Sequence, residues 1–314
     1  MVDSKQQWKA WLYLAPAIAL LLVFTVWPII NTVRMAFLEN YSGLKAAGGM
    51  TFQFGVGNFV KVIKYKKFIN CLKNTVLLCV WTVPVSTFLA LIIAVALNSI
   101  KFLKKGLQTI FFLPYVTNSI AIGMVFAAMF NIVGSFYGTK NEVIITAGIV
   151  NNVIQFFGGK PINWINQGSG YWANMTVMII YIVWNALPFK ILVLLGGLQS
   201  VNKQYYEAAR VDGTSRSRVF ARITVPLLSP MIAYVVITGF IGGFKEYSSI
   251  VGIFGDKMGP ASEPGRLNTM VGYIYDSLAT SSQGKASAAA LILFGIILVV
   301  TMINLQVSKK RVHY

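Results

Sequence analysis

The chain has 314 residues, of which 56% are hydrophobic and only 11% charged, with a mean hydropathy of +0.66. Soluble domains carry about 25% charged residues, so this composition excludes an ordinary soluble enzyme and describes an integral membrane protein. The net charge of +18 would point to nucleic acid in a soluble chain, but here the cations sit in short segments between apolar runs, where they set topology and meet anionic lipid headgroups.

Lys5 and Lys9 open the chain, with Trp8 and Trp11 at interfacial positions, and Leu12 to Val33 then runs without a charge. It lacks a small-residue cleavage site and continues through Trp27 and Pro28, so it reads as a first transmembrane helix rather than a signal peptide. A glycine-containing loop follows. Lys61, Lys64, Lys66, Lys67 and Lys73 are then interleaved with Phe59, Val62, Ile63, Phe68 and Ile69, the pattern of a helix lying on the membrane. Thr75 to Leu97, with Pro84 as a kink, is the second span, and Ile110 to Ile132 the third, after a short loop holding Lys101, Lys104 and Lys105. The apolar piece Val143 to Phe157 is too short and too polar to cross, so it is expected as a surface helix. Trp172 to Leu195 is the fourth span, Leu227 to about Gly255 the fifth, and Ala286 to Leu305 the sixth; Asp256 to Lys285 reads as a loop. Ser308-Lys309-Lys310-Arg311 lies near the end.

Six spans put both termini on one side. Thirteen lysines and arginines lie in the tails and in loops 98–108 and 199–225, against eleven in the three opposite loops, which are together about twice as long. Short basic loops face the cytoplasm, so both termini and the 199–225 loop are expected there.

That loop, residues 199–226, is the most informative stretch. It holds Tyr206-Glu207-Ala208-Ala209, then Asp212-Gly213, Phe220, Ile223 and Pro226. Glu207, Ala208 and Ala209 favour a short helix, Gly213 permits the turn that ends it, and Ser215 is placed to cap a second short helix through Phe220 to Ile223. The register closely resembles the cytoplasmic Glu-Ala-Ala loop of permease subunits in binding-protein-dependent ABC importers. The resemblance extends to Phe112-Leu113-Pro114-Tyr115, Asn163-Trp164, Leu195-Gly196-Gly197-Leu198, Phe244-Lys245-Glu246-Tyr247, Gly272-Tyr273-Ile274-Tyr275 and Gly284-Lys285-Ala286-Ser287-Ala288. These segments are similar to the carbohydrate-uptake branch, in particular the subunit type of MalF and of UgpA-like and LacF-like permeases. Thr214 and Val225 stand where that family usually has Ala and Leu, and residues 246–270 lack its usual Gly-Gly-Pro run.

The resemblance implies an all-α polytopic fold, with six transmembrane helices of the MetI-like importer permease type. It implies a single permease domain over residues 1–314 with its core at 70–305, in a bacterial or archaeal plasma membrane. It implies that Glu207, Ala208, Ala209, Asp212, Gly213, Phe220, Ile223 and Pro226 dock a separate ATPase. The implied partners are a homologous MalG-like permease, two ABC ATPases that bind the ATP and Mg, an extracytoplasmic solute-binding protein, membrane lipid, and a carbohydrate, most naturally an oligosaccharide. Glycerol phosphate or another polar solute is the alternative within the family, and a stand-alone secondary transporter the alternative outside it; no inverted repeat is legible to support the latter.

Charges inside spans are functional hypotheses by default, because each is costly unless paired or hydrated. Lys190 follows Trp184-Asn185-Ala186-Leu187-Pro188-Phe189, and Lys245 and Glu246 interrupt the fifth span after Gly243. In relatives these two regions line the sugar passage, so Trp184, Asn185, Phe189, Lys190, Gly243, Lys245 and Glu246 are candidates; packing of Tyr181, Trp184 and Phe189, and a structural Lys190–Glu246 pair, are the plainer readings. No phosphate-binding G-x-x-x-x-G-K-[ST] occurs, since Gly159-Lys160 and Gly284-Lys285 are followed by Pro161 and Ala286. No H-E-x-x-H, G-x-S-x-G or paired-carboxylate pattern occurs either. Cys71, Cys79 and the one histidine, His313, supply neither a metal site nor a disulfide framework. The chain is expected to be non-catalytic, with no cofactor of its own and no nucleic-acid partner.

Overall fold

The computed structural model describes residues 7–100, 104–137 and 143–311. Lys5, Lys101 and His313, named above, lie outside the described residues. The elements in order are α1 (Gln7–Leu21), α2 (Trp27–Phe37), α3 (Gly43–Ala47), α4 (Gly57–Lys64), α5 (Lys66–Ser99), α6 (Lys104–Val116) and α7 (Ser119–Phe130). A hairpin of β1 (Ile132–Tyr137) and β2 (Val143–Ala147) follows, then α8 (Ile149–Phe156), α9 (Tyr171–Ser200), α10 (Gln204–Val211), α11 (Arg216–Val219), α12 (Val225–Leu227), α13 (Ser229–Phe244), α14 (Ser248–Phe254), α15 (Met270–Ala279) and α16 (Gln283–Arg311). Helix dominates for a physical reason: in lipid every backbone polar group must find its partner within the segment.

Four helices are long and apolar enough to cross a bilayer alone: Trp8–Phe37, Lys66–Ser99, Tyr171–Ser200 and Gln283–Lys309. The first is continuous because five π-helical residues, Leu22–Val26, join α1 to α2. Two bent pairs raise the number to as many as six. The expected third span is one of them, bent by 99° between Gly106–Val116 and Ser119–Phe130. Asn118 makes this corner by accepting hydrogen bonds from the backbone of Ile120 and Ala121, which starts α7 afresh. The other pair, Arg216–Leu227 and Ser229–Phe244, bends by 68° next to Pro226 and Pro230.

Four further expectations change. The basic helix around 59–73 is two pieces, because Tyr65 is extended and separates α4 from the start of α5. The surface helix expected from Val143 is a strand as far as Ala147, paired antiparallel with β1, and becomes helical only at Ile149. The expected fifth span ends at Phe244 instead of running on to Gly255: the chain breaks at residues 245–247 and resumes as α14. The loop expected from Asp256 to Lys285 contains α15, a ten-residue helix whose aromatic and β-branched content hid it.

The described chain forms two compact units. One comprises the residues up to Ile69 with Tyr273–Gly295. Its centre is Asn58, fully buried, whose amide donates to the carbonyls of Ala36 and Leu38 and accepts from the backbone N–H of Asn40. The other unit comprises Asn70–Gly272 with the residues from Ile296. It has two apolar clusters. One gathers Leu78, Met175, Met178, Tyr181, Ile250 and Ile253; the other gathers Ala90, Ala94, Ile191, Leu194, Leu198, Leu228 and Val235. In the first cluster α7 and α14 meet backbone to backbone, since a Cβ on Gly123 would lie 2.6 Å from the Cα of Gly252. Such close contact between small residues is the usual way for helices to associate in lipid.

Candidate functional site

Two features of the second unit carry chemistry, a polar loop and a cavity. In the loop, α10 carries Glu207, Ala208 and Ala209 and stops at Gly213, whose φ is +67°. Thr214 N–H donates to the carbonyl of Ala209 and Gly213 N–H to that of Arg210, the two bonds that close a helix through a left-handed residue. Ser215 stands at the start of α11 in extended conformation, but its side chain makes no capping bond; its backbone carbonyl alone accepts, from Val219. Phe220–Thr224 continue as π-helix into α12, where Pro226 lacks the N–H a regular ladder would need.

The outer face of this loop is open. Glu207, Ala208, Asp212 and Gly213 are exposed, as is Val211 at 88%. Neither Glu207 nor Asp212 has an ion-pair partner among the described residues, so the four arginines of the loop, Arg210, Arg216, Arg218 and Arg222, are not paired with them. The inner face is anchored. Ala209 is buried, Ile223 and Pro226 are half-buried, and Tyr206 Oη lies 3.4 Å from Thr224 Oγ1. Phe220 and Val225 pack against the cluster of Ala90, Leu194, Leu198 and Leu228.

The cavity is about 440 Å³, lined by Thr82, Val83, Ser86, Tyr115, Thr117, Ser119, Ile182, Asn185, Ala186, Phe189, Lys190, Thr238, Gly239, Gly242, Gly243 and Glu246. Lys190 is 4% exposed, and its ammonium donates to Ser86 Oγ at 2.7 Å, Thr87 Oγ1 at 2.9 Å and the Val83 carbonyl at 3.2 Å. Three donors meet three acceptors on one turn of α5, which satisfies the ammonium fully. Glu246 instead turns to the start of α14, where Oε1 accepts from the backbone N–H groups of Tyr247 and Ser249. The structure therefore brings Lys190 and Glu246 to one cavity without the ion pair between them that the sequence allowed. The rest of the lining is neutral. Phe189 stacks on Tyr115 with centroids 5.9 Å apart, and Asn185 Nδ2 reaches Ser119 Oγ at 3.4 Å.

Five of the seven candidate passage residues meet here: Asn185, Phe189, Lys190, Gly243 and Glu246. Lys245 is exposed at the end of α13 and does not line the cavity. Trp184 packs beside Phe126 in the apolar cluster, with centroids 5.1 Å apart, and Tyr181 is wholly buried, its hydroxyl donating to the Ser119 carbonyl. Sequence reasoning missed Thr82, Ser86, Thr87, Tyr115, Thr117 and Ser119. A signal existed for the first three, because hydroxyls at 82, 86 and 87 fall on one face of an otherwise apolar span. The 115–119 group was concealed by the bend between α6 and α7.

The same three helices serve both features. In α5, Thr82 to Ser86 line the cavity while Ala90 to Leu97 belong to the cluster on which the loop rests. In α9 the cavity takes residues from Ile182 to Lys190 and the cluster's buried members run from Ile191 to Leu198, and in α13 the division falls between Val235 and Thr238. Among the described residues no three His, Cys, Asp or Glu side chains gather to hold a metal ion.

Comparison with known proteins gives a consistent picture. A family model described as "Binding-protein-dependent transport system inner membrane component" matches residues 86–313. Over 298 residues the chain is 33% identical to the lactose transport system permease protein LacF of Rhizobium radiobacter, covering 94% of this chain and 91% of that protein. It is 30% identical over 302 residues to the arabinooligosaccharides transport system permease protein AraP of Bacillus subtilis, covering 95% and 88%. It is 28% identical over 307 residues to the sn-glycerol-3-phosphate transport system permease protein UgpA of Agrobacterium fabrum, covering 97% and 96%. Among solved structures, a chain of a bacterial ABC transporter involved in import of the acidic polysaccharide alginate aligns over 98% of this chain and 97% of its own, with a TM-score of 0.76 and 22% identity, a likeness of fold.

Proposed function

The chain belongs to the family of binding-protein-dependent transport system inner membrane components, the permease subunits of ABC importers, and from that premise we propose that it forms half of a carbohydrate passage driven from the 199–226 loop. The permease domain spans the whole chain with its core at 70–305, and both termini and the loop face the cytoplasm. A homologous MalG-like subunit supplies the other half. Two ATPases hold ATP and Mg, and an extracytoplasmic binding protein delivers the solute. This chain positions and conducts, and makes or breaks no bond in the solute.

The observation that supports this reading is the sharing of α5, α9 and α13 between loop and cavity. When the ATPases close, they push on the exposed Glu207 face. Phe220 and Val225 pass the displacement to the cluster beneath, and the helices that tilt are those that line the cavity. A packed core has discrete arrangements rather than a continuum, so the push acts as a switch between inward-open and outward-open forms.

The lining supports a neutral, hydroxyl-rich solute. Tyr115 and Phe189 offer ring faces to sugar C–H groups, while Thr82, Ser86, Thr117, Ser119 and Asn185 offer both donors and acceptors. Lys190 is engaged by three acceptors of α5, which disfavours an anionic solute and ranks glycerol phosphate second. The test is uptake into proteoliposomes holding the full complex, with labelled oligosaccharides and glycerol 3-phosphate in parallel. ATP-dependent oligosaccharide uptake supports the proposal. Preference for glycerol phosphate, or uptake by this chain alone without ATP, overturns it.

A further inference from the structure

We propose that the first unit holds a binding site for the phosphate group of an anionic phospholipid, formed where α4 and α5 meet α15 and α16. A basin of about 500 Å³ opens there, with Lys61, Lys64, Lys67 and Lys285 around it and the hydroxyls of Thr280 and Ser282 between them. A second hollow of about 380 Å³ shares Thr280, Ser282 and Lys285 and adds Lys45. The carboxylate in the basin is that of Asp276, and it is paired with Lys67 at 2.8 Å. Lys61 donates to Asn40 Oδ1 at 2.6 Å, which holds it in place without neutralising it. Lys64 and Lys285 have no carboxylate within ion-pair distance among the described residues. Four cations against one anion describe a receptor for a compact anionic group, and the hydroxyls of Thr280 and Ser282, which donate to the carbonyls of Asp276, Ser277 and Thr280, stiffen the turn between the lysines.

The turn that carries the hydroxyls is strained. Ser281 has φ +52°, the left-handed region that normally calls for glycine, and it closes α15 through Ser281 N–H to the Leu278 carbonyl and Ser282 N–H to the Ser277 carbonyl. A glycine would make the same turn without strain. The observed serine corner sets Thr280 and Ser282 at both hollows and leads directly into the first turn of α16, which carries Lys285. Strain held in place by surrounding structure is a mark of a functional position.

Location identifies the source of the anion. Lys67 lies in the first turn of α5 and Lys285 in the first turn of α16, and both helices are long and apolar enough to cross a bilayer. A basin at the start of two spanning helices sits at headgroup depth. Beside it, Val60 and Ile63 are exposed on α4, and Ile69 on α5, an apolar rim suited to acyl chains.

The experiment uses the complete transporter in nanodiscs of phosphatidylcholine with increasing phosphatidylglycerol. Lipid retained after extraction is read by native mass spectrometry for wild type, for Lys64→Gln/Lys285→Gln, for Lys64→Arg/Lys285→Arg, and for Lys160→Gln as a surface control. Phosphatidylglycerol should be retained preferentially by wild type, by the arginine pair and by the control, and roughly tenfold or more weakly by the glutamine pair. Inorganic phosphate should compete with the retained lipid. Equal retention by wild type and the glutamine pair overturns the proposal, as does loss in the arginine pair, which would make the effect one of shape. Phosphate binding without lipid retention would mean a free-anion site instead. If the glutamine pair changes only the affinity for the solute-binding protein in neutral lipid, the basin docks that protein's acidic surface and the lipid assignment fails.

Discussion

The 199–226 loop and the cavity treat charge in opposite ways. In the loop, Glu207 and Asp212 stand exposed beside four arginines without pairing to them. In the cavity, Lys190 and Glu246 are bonded within the chain, one by the hydroxyls and a carbonyl of α5, the other by the first N–H groups of α14. On the proposed function the loop docks a partner, and its charges are left uncommitted for that partner. On the same proposal the cavity is the passage that must release its solute, and it fixes its charges and presents neutral hydrogen-bonding groups and ring faces.

The largest effect that sharpens this contrast belongs to Gly213. A β-branched residue at φ +67° costs about 1–2 kcal/mol and spoils the turn without touching another side chain, since no atom lies within 4 Å of the missing Cβ. Gly213→Val should insert normally but retain the ATPase at least about tenfold less well in pull-down, since the docking helix is no longer held in place. Glu207→Lys should weaken retention by a smaller factor, by adding a like charge among the arginines, and the loss should shrink in high salt. A salt-independent loss would assign Glu207 a packing role instead.

The cavity gives the next prediction. Because Lys190 and Glu246 bond to different partners, Lys190→Met and Glu246→Gln should act additively on thermal stability, each by about 1–3 kcal/mol, with no recovery in the double variant. Partial rescue in a double-mutant cycle would reveal an ion pair and contradict the geometry. The smallest effect is expected at the Tyr115–Phe189 stack: Phe189→Leu should raise the half-saturating sugar concentration about two- to tenfold while leaving basal ATP hydrolysis unchanged. An equal loss of basal hydrolysis would move Phe189 from the passage to the packing.

The long apolar helices were legible because a spanning helix needs only length and the absence of charge, both local properties. The loop was legible for a related reason: its two short helices and the Gly213 turn between them are set within one contiguous stretch, Glu207 through Pro226. The cavity was only half legible, since it gathers side chains from α5, the α6–α7 corner, α9 and α13, and the corner depends on Asn118 ending one helix and beginning another. Lys245 and Glu246 show the limit clearly. They are adjacent in sequence, but the end of α13 turns the backbone between them, so one faces outward and the other lines the cavity. The β1–β2 hairpin was missed because Val143–Ala147 is equally apolar as strand or helix, and only its pairing with β1 decides.

On the proposed function, Phe220 transmits the push of the ATPases to the cavity rather than holding them. The direct test is the number of sugar molecules imported per ATP hydrolysed by proteoliposomes carrying Phe220→Ala, with ATPase retention measured on the same preparation. Retention should stay at the wild-type level while the transport ratio falls severalfold, because the variant leaves the outer face of the loop intact and removes the Phe220 ring from the apolar cluster beneath it. An unchanged ratio would contradict the claim, and so would a fall in retention that accounts for the whole loss of transport.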